Sequence, residues 1–230
     1  MSRHLLSALL VGVLLIPAHP APAFAQSVVL DGVSVRVQAG TSQVVTVNRT
    51  RSWHARVTWW SRDASGWHQV LRTSDGRIGH GGLVRGDDRK QGTGTTPLGT
   101  YGLIGSFGIH RKQSTWDLPY RRIRRGDYWV QDNGSAFYNR YRHRSQGGFR
   151  WWLRSGPNAS ERLTDYRQQY EWAVNTSFNR SQVRHRGSGI FLHVNGRGAT
   201  AGCVSVPRWF MRSAMVRIDP DRTPVIAIGR

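Results

Sequence analysis

Alternation between apolar and polar residues marks the early part of this chain and predicts strands. Residues 28–70 contain the runs VVLDGVSVRV, SQVVTVN and HARVTWW, which are rich in β-branched residues and Trp. Turn signals separate these runs at Asp31-Gly32, Ala39-Gly40 and Ser65-Gly66. Because successive side chains of a strand point to opposite faces, we expect three or four short antiparallel strands in this region.

The centre of the chain has the composition of turns and irregular structure. Residues 76–105 hold ten Gly, a density that favours tight turns over a helix, and Pro97 suits an extended segment or a turn. Residues 111–152 are rich in Tyr, Trp and Arg, and we expect an irregular insertion with one strand near residues 128–130. No linker rich in Pro or Ser divides the chain, so residues 26–230 predict a single domain.

The last third of the chain predicts two helices and two strands. A stripe of apolar residues at helical spacing predicts a helix over residues 161–174, with Ser160 as its candidate N-cap. This stripe is formed by Leu163, Tyr166, Tyr170 and Ala173. The other expected elements are an apolar strand, a short helix and a closing strand over residues 189–194, 207–216 and 223–228. The pattern indicates a mostly β domain of mixed sheets with one or two short helices.

The first 25 residues have the pattern of a secretory signal peptide. Arg3 precedes an apolar run over residues 5–16, and a segment rich in Pro and Ala ends at Ala23-Phe24-Ala25. The run is too short to span a membrane core of ~30 Å as a helix, although an uncleaved anchor is the alternative. We therefore expect export, a mature chain that begins at Gln26, and no transmembrane helix in that mature chain.

The charge of the chain narrows the expected partners. It has 33 Lys+Arg against 13 Asp+Glu, a formal net charge of +20, and only Lys90 and Lys112 are Lys. A positive field of this size attracts anionic polymers. Because the signal peptide indicates export, we expect anionic cell-envelope polymers rather than nucleic acid as partners. We expect the protein to be a monomer that is secreted and associated with the cell wall.

The single Cys is the strongest candidate for chemistry. Cys203 lies in ATAGCVSVP, where small neighbours such as Gly202 allow a substrate to approach closely. His193 lies near the end of the apolar run ten residues earlier, and an adjacent His can take the thiol proton to produce a thiolate nucleophile. A buried, inert thiol beside a structural His explains the same residues, and spacing alone leaves both interpretations open.

Metal binding is the other chemistry that Cys and His share. A zinc site needs three or four ligands, and the remaining His residues show no ligand spacing. The sequence also lacks GxSxG, HExxH and Walker motifs. We therefore expect no metal site and no cofactor.

Two segments carry a pattern that is characteristic of one enzyme family. IFLHVNGRGATAGCVSVP at residues 190–207 has a strand ending in His, a loop, and then Thr-x-Gly-Cys. GTGTTPLGTYGL at residues 92–103 contains Thr-Pro-x-Gly-x-Tyr. In this order around a single Cys, they resemble the YkuD-type L,D-transpeptidase catalytic domain of bacterial cell-wall enzymes. Weaker matches occur at residues 126–132, 137–140 and 170–180.

The resemblance implies a function and a set of roles. Cys203 would be the nucleophile and His193 its general base, the N–H groups of Gly202 and Cys203 would hold the oxyanion, and Thr200 would shape the loop. The substrates would be peptidoglycan stem peptides. The enzyme would cleave the L,D bond before the terminal D-Ala of a tetrapeptide and transfer the acyl group to a second stem, forming a 3→3 crosslink.

The chain departs from the family pattern at two positions. Ala201 stands where many members have His, and Ser205 stands where many have Arg. Arg197 is a candidate to replace the missing guanidinium, so Arg197 and Ser205 are candidate substrate contacts. Either a backbone carbonyl near Val194 or the side chain of Asn195 is expected to orient His193.

Two further functions remain open on the sequence. An L,D-carboxypeptidase would use the same Cys203 acyl-enzyme with water as the acceptor. A non-catalytic cationic protein that binds the cell wall would use the charge alone. The first differs from a transpeptidase in its product, and the second predicts that Cys203 is dispensable.

Overall fold

The computed structural model describes residues 26–230, and the expected signal peptide, residues 1–25, lies outside the described residues. The described chain forms fifteen strands and one α-helix, α1 (Arg208–Met215). The strands are β1 (Gln26–Leu30), β2 (Val33–Val37), β3 (Gln43–Arg51), β4 (His54–Asp63), β5 (Gly66–Arg77), β6 (Leu83–Arg85), β7 (Thr96–Gly108), β8 (Tyr120–Arg122), β9 (Asp127–Trp129), β10 (Tyr141–His143), β11 (Glu161–Arg162), β12 (Trp172–Thr176), β13 (Phe191–Val194), β14 (Val204–Val206) and β15 (Val225–Gly229).

The largest sheet closes on itself. Its strands follow the order β12-β13-β14-β5-β4-β3-β15-β7, and β12 pairs with β7 as well as with β13. Most neighbours are antiparallel, whereas β13–β14 and β15–β3 are parallel. The short strands β6 and β8 add to β7. The closed ring leaves few free strand edges, and it holds the ends of β13 and β14 in fixed positions.

The main core lies against one face of this ring. Alternate residues of its strands, such as Val57, Trp59 and Val206, are buried there. Helix α1 adds four buried residues to the same cluster, namely Phe210, Met211, Ala214 and Met215. Because period-two alternation sends one set of side chains into this core, the set between them is directed to the opposite face.

Two smaller sheets pack beside the ring. The hairpin β1–β2 buries Val33, Val35 and Val37 against Val44 and Ala227 of the ring. The strands β10, β9 and β11 form a three-stranded sheet. In that sheet Glu161 pairs with Trp129, which brings the start of the 161–174 segment beside the insertion.

The prediction of a helix over residues 161–174 is wrong. The segment forms β11, two short 3-10 turns at Leu163–Tyr166 and Gln169–Glu171, and then β12. The end of the segment joins the ring through ladders to β7 and β13, and this tertiary pairing outweighs the local helical stripe. Ser160 caps no helix, because its hydroxyl accepts a hydrogen bond from the Gln131 N–H at 3.1 Å.

The other expectations for the fold are largely confirmed. The alternating region forms five strands, β1–β5, where three or four short ones were expected, and β3, β4 and β5 have 9, 10 and 12 residues. Strands β13 and β15 match the two expected late strands, and α1 begins one residue after Pro207. The 111–152 insertion contains three short strands, β8, β9 and β10, instead of the single one expected. Pro97 lies in the long strand β7, in its extended conformation.

Candidate active site

Two adjacent parallel strands bring Cys203 and His193 together. His193 of β13 lies opposite Ser205 of β14, and Cys203 comes directly before β14. The neighbouring residues Leu192 and Val204 enter the main core. The alternation of the strands therefore directs His193 and Cys203 to the other side of the sheet.

A cavity of about 320 Å³ lies on that side, and both His193 and Cys203 line it. The loop over residues 196–201 and the segment over residues 187–189 form parts of its wall. Its other polar and charged lining comes from distant parts of the chain, namely His80, Arg89, Gln91, Gln131, Glu161, Tyr166, Gln169 and Tyr170.

A single hydrogen bond sets the proton of His193. Its Nδ1 atom lies 2.8 Å from the carbonyl oxygen of Val194, which can only accept, so Nδ1 carries the hydrogen. Burial lowers the pKa of His193 to about 4, which makes the ring neutral at pH 7. The neutral ring then has an unprotonated Nε2, and that nitrogen has no hydrogen-bond partner among residues 26–230. Nε2 is therefore the ring nitrogen that is able to accept a proton.

The thiol of Cys203 makes its hydrogen bonds to backbone. Sγ donates to the carbonyl oxygen of Gly189 at 3.1 Å and accepts from the N–H of Phe191 at 3.4 Å. Burial raises the pKa of Cys203 to about 12, so the resting group is a thiol. Within the described part of the chain, Sγ has no direct hydrogen bond to His193.

The loop that carries Cys203 is held from two sides. Thr200 Oγ1 donates to the carbonyl oxygen of Cys203 at 2.7 Å and accepts from the Gly202 N–H at 3.1 Å. Thr96 Oγ1 donates to the Gly202 carbonyl oxygen and accepts from the Gly79 N–H, both at 2.8 Å. Because Thr200 occupies the Gly202 N–H, this group is not free to hold an oxyanion in this conformation.

Comparison with known proteins identifies the domain. The family model YkuD, described as the L,D-transpeptidase catalytic domain, matches residues 42–226. The chain belongs to the YkuD family. No curated protein and no solved structure gave a significant match. Family membership indicates L,D-transpeptidase activity on peptidoglycan, and it confirms the mostly β fold inferred from the two motifs.

Two candidate contacts of the YkuD domain lie away from its cavity. Ser205 is fully buried and donates to Asn195 Oδ1 at 2.7 Å. The Asn195 amide in turn donates to the backbone oxygen of Asp75 at 2.8 Å. Neither Ser205 nor Asn195 lines the cavity. Of the two groups expected to orient His193, the Val194 carbonyl makes the hydrogen bond and the Asn195 side chain bonds elsewhere. The hydrogen bonds of Ser205 and Asn195 tie β14 and the end of β13 to β5. Arg197, by contrast, lines the cavity and is exposed.

Two ionisable residues that line this cavity, Arg89 and Glu161, were not candidates on the sequence. Arg89 belongs to the Gly-rich region, three residues before the GTGTTP run, and Glu161 starts the segment that was expected to be a helix. The Glu161 carboxylate accepts hydrogen bonds from the Tyr170 hydroxyl and from Gln131 Nε2. Burial raises its pKa to about 7. No spacing signal links these residues to Cys203, because they come from segments 114 and 42 positions away.

Residues 26–230 contain no group of three or more His, Cys, Asp or Glu side chains that could hold a metal ion. None of their helices has the length and apolar character that crossing a membrane requires.

Proposed function

We propose that this protein is an exported cysteine acyltransferase that remodels peptidoglycan, with residues 1–25 as its signal peptide and residues 26–230 as its catalytic domain. It cleaves the L,D bond before the terminal D-Ala of a stem tetrapeptide and passes the acyl group to a second stem, forming a 3→3 crosslink. The observation that carries the proposal is the hydrogen bond from His193 Nδ1 to Val194, which leaves Nε2 as a base in the cavity that Cys203 lines.

The proton of Cys203 is transferred during the attack and not before it. A thiol with a pKa of about 12 beside an imidazole with a pKa of about 4 remains neutral, as does the imidazole. As the Cys203 sulfur attacks the carbonyl carbon, His193 Nε2 takes the thiol proton, and an Sγ–C bond forms. The C–N bond then breaks, and the imidazolium returns this proton to the leaving amine of D-Ala.

The oxyanion is stabilised by a backbone N–H group at the nucleophile. Because the Gly202 N–H bonds to Thr200, the Cys203 N–H is the donor that we assign to the oxyanion. Thr96 and Thr200 hold the peptide units of this loop in place. The thioester is resolved when the side-chain amine of a second stem, or water, attacks its carbonyl carbon. His193 Nε2 takes a proton from this nucleophile and transfers it to the Cys203 sulfur as the S–C bond breaks, which restores the neutral thiol and imidazole.

The charge of the chain supports retention at the cell envelope. The net charge of +20 attracts polymers that are rich in carboxylates or phosphates. Such attraction is screened at high salt, since the Debye length is only ~3 Å at 1 M ionic strength. We therefore assign the charge to localisation at the wall and the cavity to chemistry.

Intact mass spectrometry of the folded protein tests the proposal. A stem tetrapeptide or a carbapenem should add to wild-type protein at Cys203 and should not add to the Cys203→Ala variant. Crosslinked dimer among the products supports a transpeptidase, whereas free tripeptide alone identifies an L,D-carboxypeptidase. The absence of any adduct on wild-type protein would contradict the enzyme and favour a non-catalytic wall-binding protein.

A further inference from the structure

A buried arginine in the cavity has no counter-charge in residues 26–230. Arg89 is 5% exposed, and its guanidinium packs over the Phe178 ring at 5.4 Å. Its Nε donates to the Thr95 carbonyl oxygen at 2.7 Å and its Nη1 to the Arg186 carbonyl oxygen at 3.2 Å. None of the ion pairs in the described part of the chain involves Arg89. Three of its five N–H donors therefore have no hydrogen-bond partner in residues 26–230.

A second polar group of the cavity wall also has no partner. The Ser188 hydroxyl is buried, and no atom of residues 26–230 makes a hydrogen bond with it. Ser188 lines the same cavity as Arg89 and Cys203. A buried polar group without a partner is costly. Ser188 lacks a hydrogen-bond partner and Arg89 lacks a counter-charge, and both lie on the wall of one cavity. This arrangement indicates a ligand that supplies both.

The free side of the guanidinium lies next to the nucleophile. A methyl group on Gly187, the residue before Ser188, would overlap Arg89 Nη1. A methyl group on Gly202, the residue before Cys203, would lie 2.7 Å from Arg89 Nη2. The unused donors of Arg89 are therefore held between the segment that carries Ser188 and the loop that carries Cys203.

We propose that Arg89 and Ser188 bind the free carboxylate of the D-amino acid that leaves in the first step, an assignment that rests on the proposed function. The carboxylate carbon of a terminal residue is three bonds from the attacked carbonyl carbon, hence no more than ~4.3 Å away. The Arg89 guanidinium lies beside Gly202, the residue before Cys203, so it is close enough to contact a carboxylate at that distance from the attacked carbon. The planar fork of Arg also matches the two oxygens of a carboxylate.

This site makes the enzyme selective for peptide ends. A stem that continues beyond the fourth residue, or that ends in a carboxamide, brings no negative charge to Arg89. Its binding would leave the guanidinium buried and unpaired, which disfavours the complex. Arg197, the other Arg of the cavity wall, is exposed and hydrated, so it lacks this dependence on a ligand charge.

Two peptides and three variants test the assignment. The peptides are one stem tetrapeptide with a free terminal carboxylate and the same peptide with a terminal carboxamide, and the measured quantity is kcat/KM for acylation of Cys203. Wild-type protein should favour the free acid by ~10–100-fold, the range expected for a hydrogen-bonded charge. Arg89→Gln should remove this preference by slowing the free acid alone, and Ser188→Ala should reduce it by ~2–10-fold.

The control is Arg140→Gln, because Arg140 also donates to backbone carbonyls, those of Asn139 and Arg180, but does not line the cavity. It should retain the full preference. Equal rates for both peptides on wild-type protein, or an equal loss of both in Arg89→Gln, would overturn the assignment. If Arg89→Gln does not fold, the wild-type preference and Ser188→Ala still decide. Acylation of wild-type protein by neither peptide contradicts the proposed function itself, and the assignment falls with it.

Discussion

The Sγ atom of Cys203 lies 3.1 Å from the carbonyl oxygen of Gly189, which accepts the thiol hydrogen in the resting protein. A backbone oxygen, and not His193, therefore holds the proton that must leave during catalysis. Burial raises the thiol pKa to about 12, and the nearby Glu161 carboxylate adds to this effect. The resting state protects an unpaired thiol from oxidation, because thiolates are the form that oxidises most readily.

The first prediction concerns alkylation of this thiol. At pH 7, iodoacetamide should label the folded protein more than about 100-fold more slowly than the urea-unfolded chain, whose thiol pKa is ~8.5. The folded rate should keep rising above pH 9, where the unfolded rate levels off. Cys203 is the single Cys, so total label measures this site alone. A folded rate that levels off near pH 7 would reveal a preformed thiolate and refute general-base activation.

The second prediction concerns His193. The His193→Gln variant should lose ~10²–10⁴-fold in the rate of Cys203 acylation, because it lacks the base that takes the proton. Single-turnover mass spectrometry with a stem tetrapeptide measures this rate. His68→Gln is the matched control, since His68 is exposed and its ring bonds to Ser65 and Asp63, far from the cavity lining. A loss of less than tenfold in His193→Gln would show that another group accepts the proton.

The sequence was sufficient for the part of the site that is local. The apolar strand with His193, the small residues around Cys203 and the Thr-Pro segment with Thr96 lie in motifs that short-range patterns identify. Arg89, Ser188 and Glu161 were not predictable as cavity residues, because closure of the sheet into a ring brings them together. The helix prediction for residues 161–174 was wrong for the same reason. The pairing of this segment with β7 and β13 is a long-range contact that local periodicity does not report.

The third prediction tests the close packing of Arg89 and Thr95 against Gly202, the residue before Cys203. Gly202 has a φ of +131°, and a methyl group there would lie 2.7 Å from Arg89 Nη2 and 2.8 Å from the Thr95 oxygen. Gly202→Ala should therefore lower the free energy of unfolding by ~1–3 kcal/mol more than Gly66→Ala, as overpacking typically costs. Gly66 is the control because its φ is +117° and nothing lies within 4 Å of its added methyl group. Urea unfolding measures both, and equal losses would show that backbone strain alone matters at Gly202.

The fourth prediction is a pH dependence of stability that originates from Glu161. Burial raises its pKa to about 7 from an ordinary value of 4.5. Between these values the unfolded chain loses this proton and the folded chain keeps it, so Glu161 makes stability fall as the pH rises, by up to ~3 kcal/mol. His193 acts in the opposite direction between about pH 4 and 6.5, since its folded pKa is lowered to about 4. The two contributions largely cancel in the wild-type protein.

Replacing Glu161 should expose the His193 contribution. The stability of Glu161→Gln relative to wild type should increase by up to ~3 kcal/mol between pH 4.5 and 7.5, measured by urea unfolding at each pH. Glu171→Gln is the control of opposite sign, because the Arg208 guanidinium lowers the pKa of Glu171 and its carboxylate stabilises the fold above its ordinary pKa. Its stability relative to wild type should fall as the pH rises from 3 to 5. A Glu161→Gln difference that is constant with pH would mean that the Glu161 carboxyl titrates normally, and that the cavity holds a full negative charge beside Cys203.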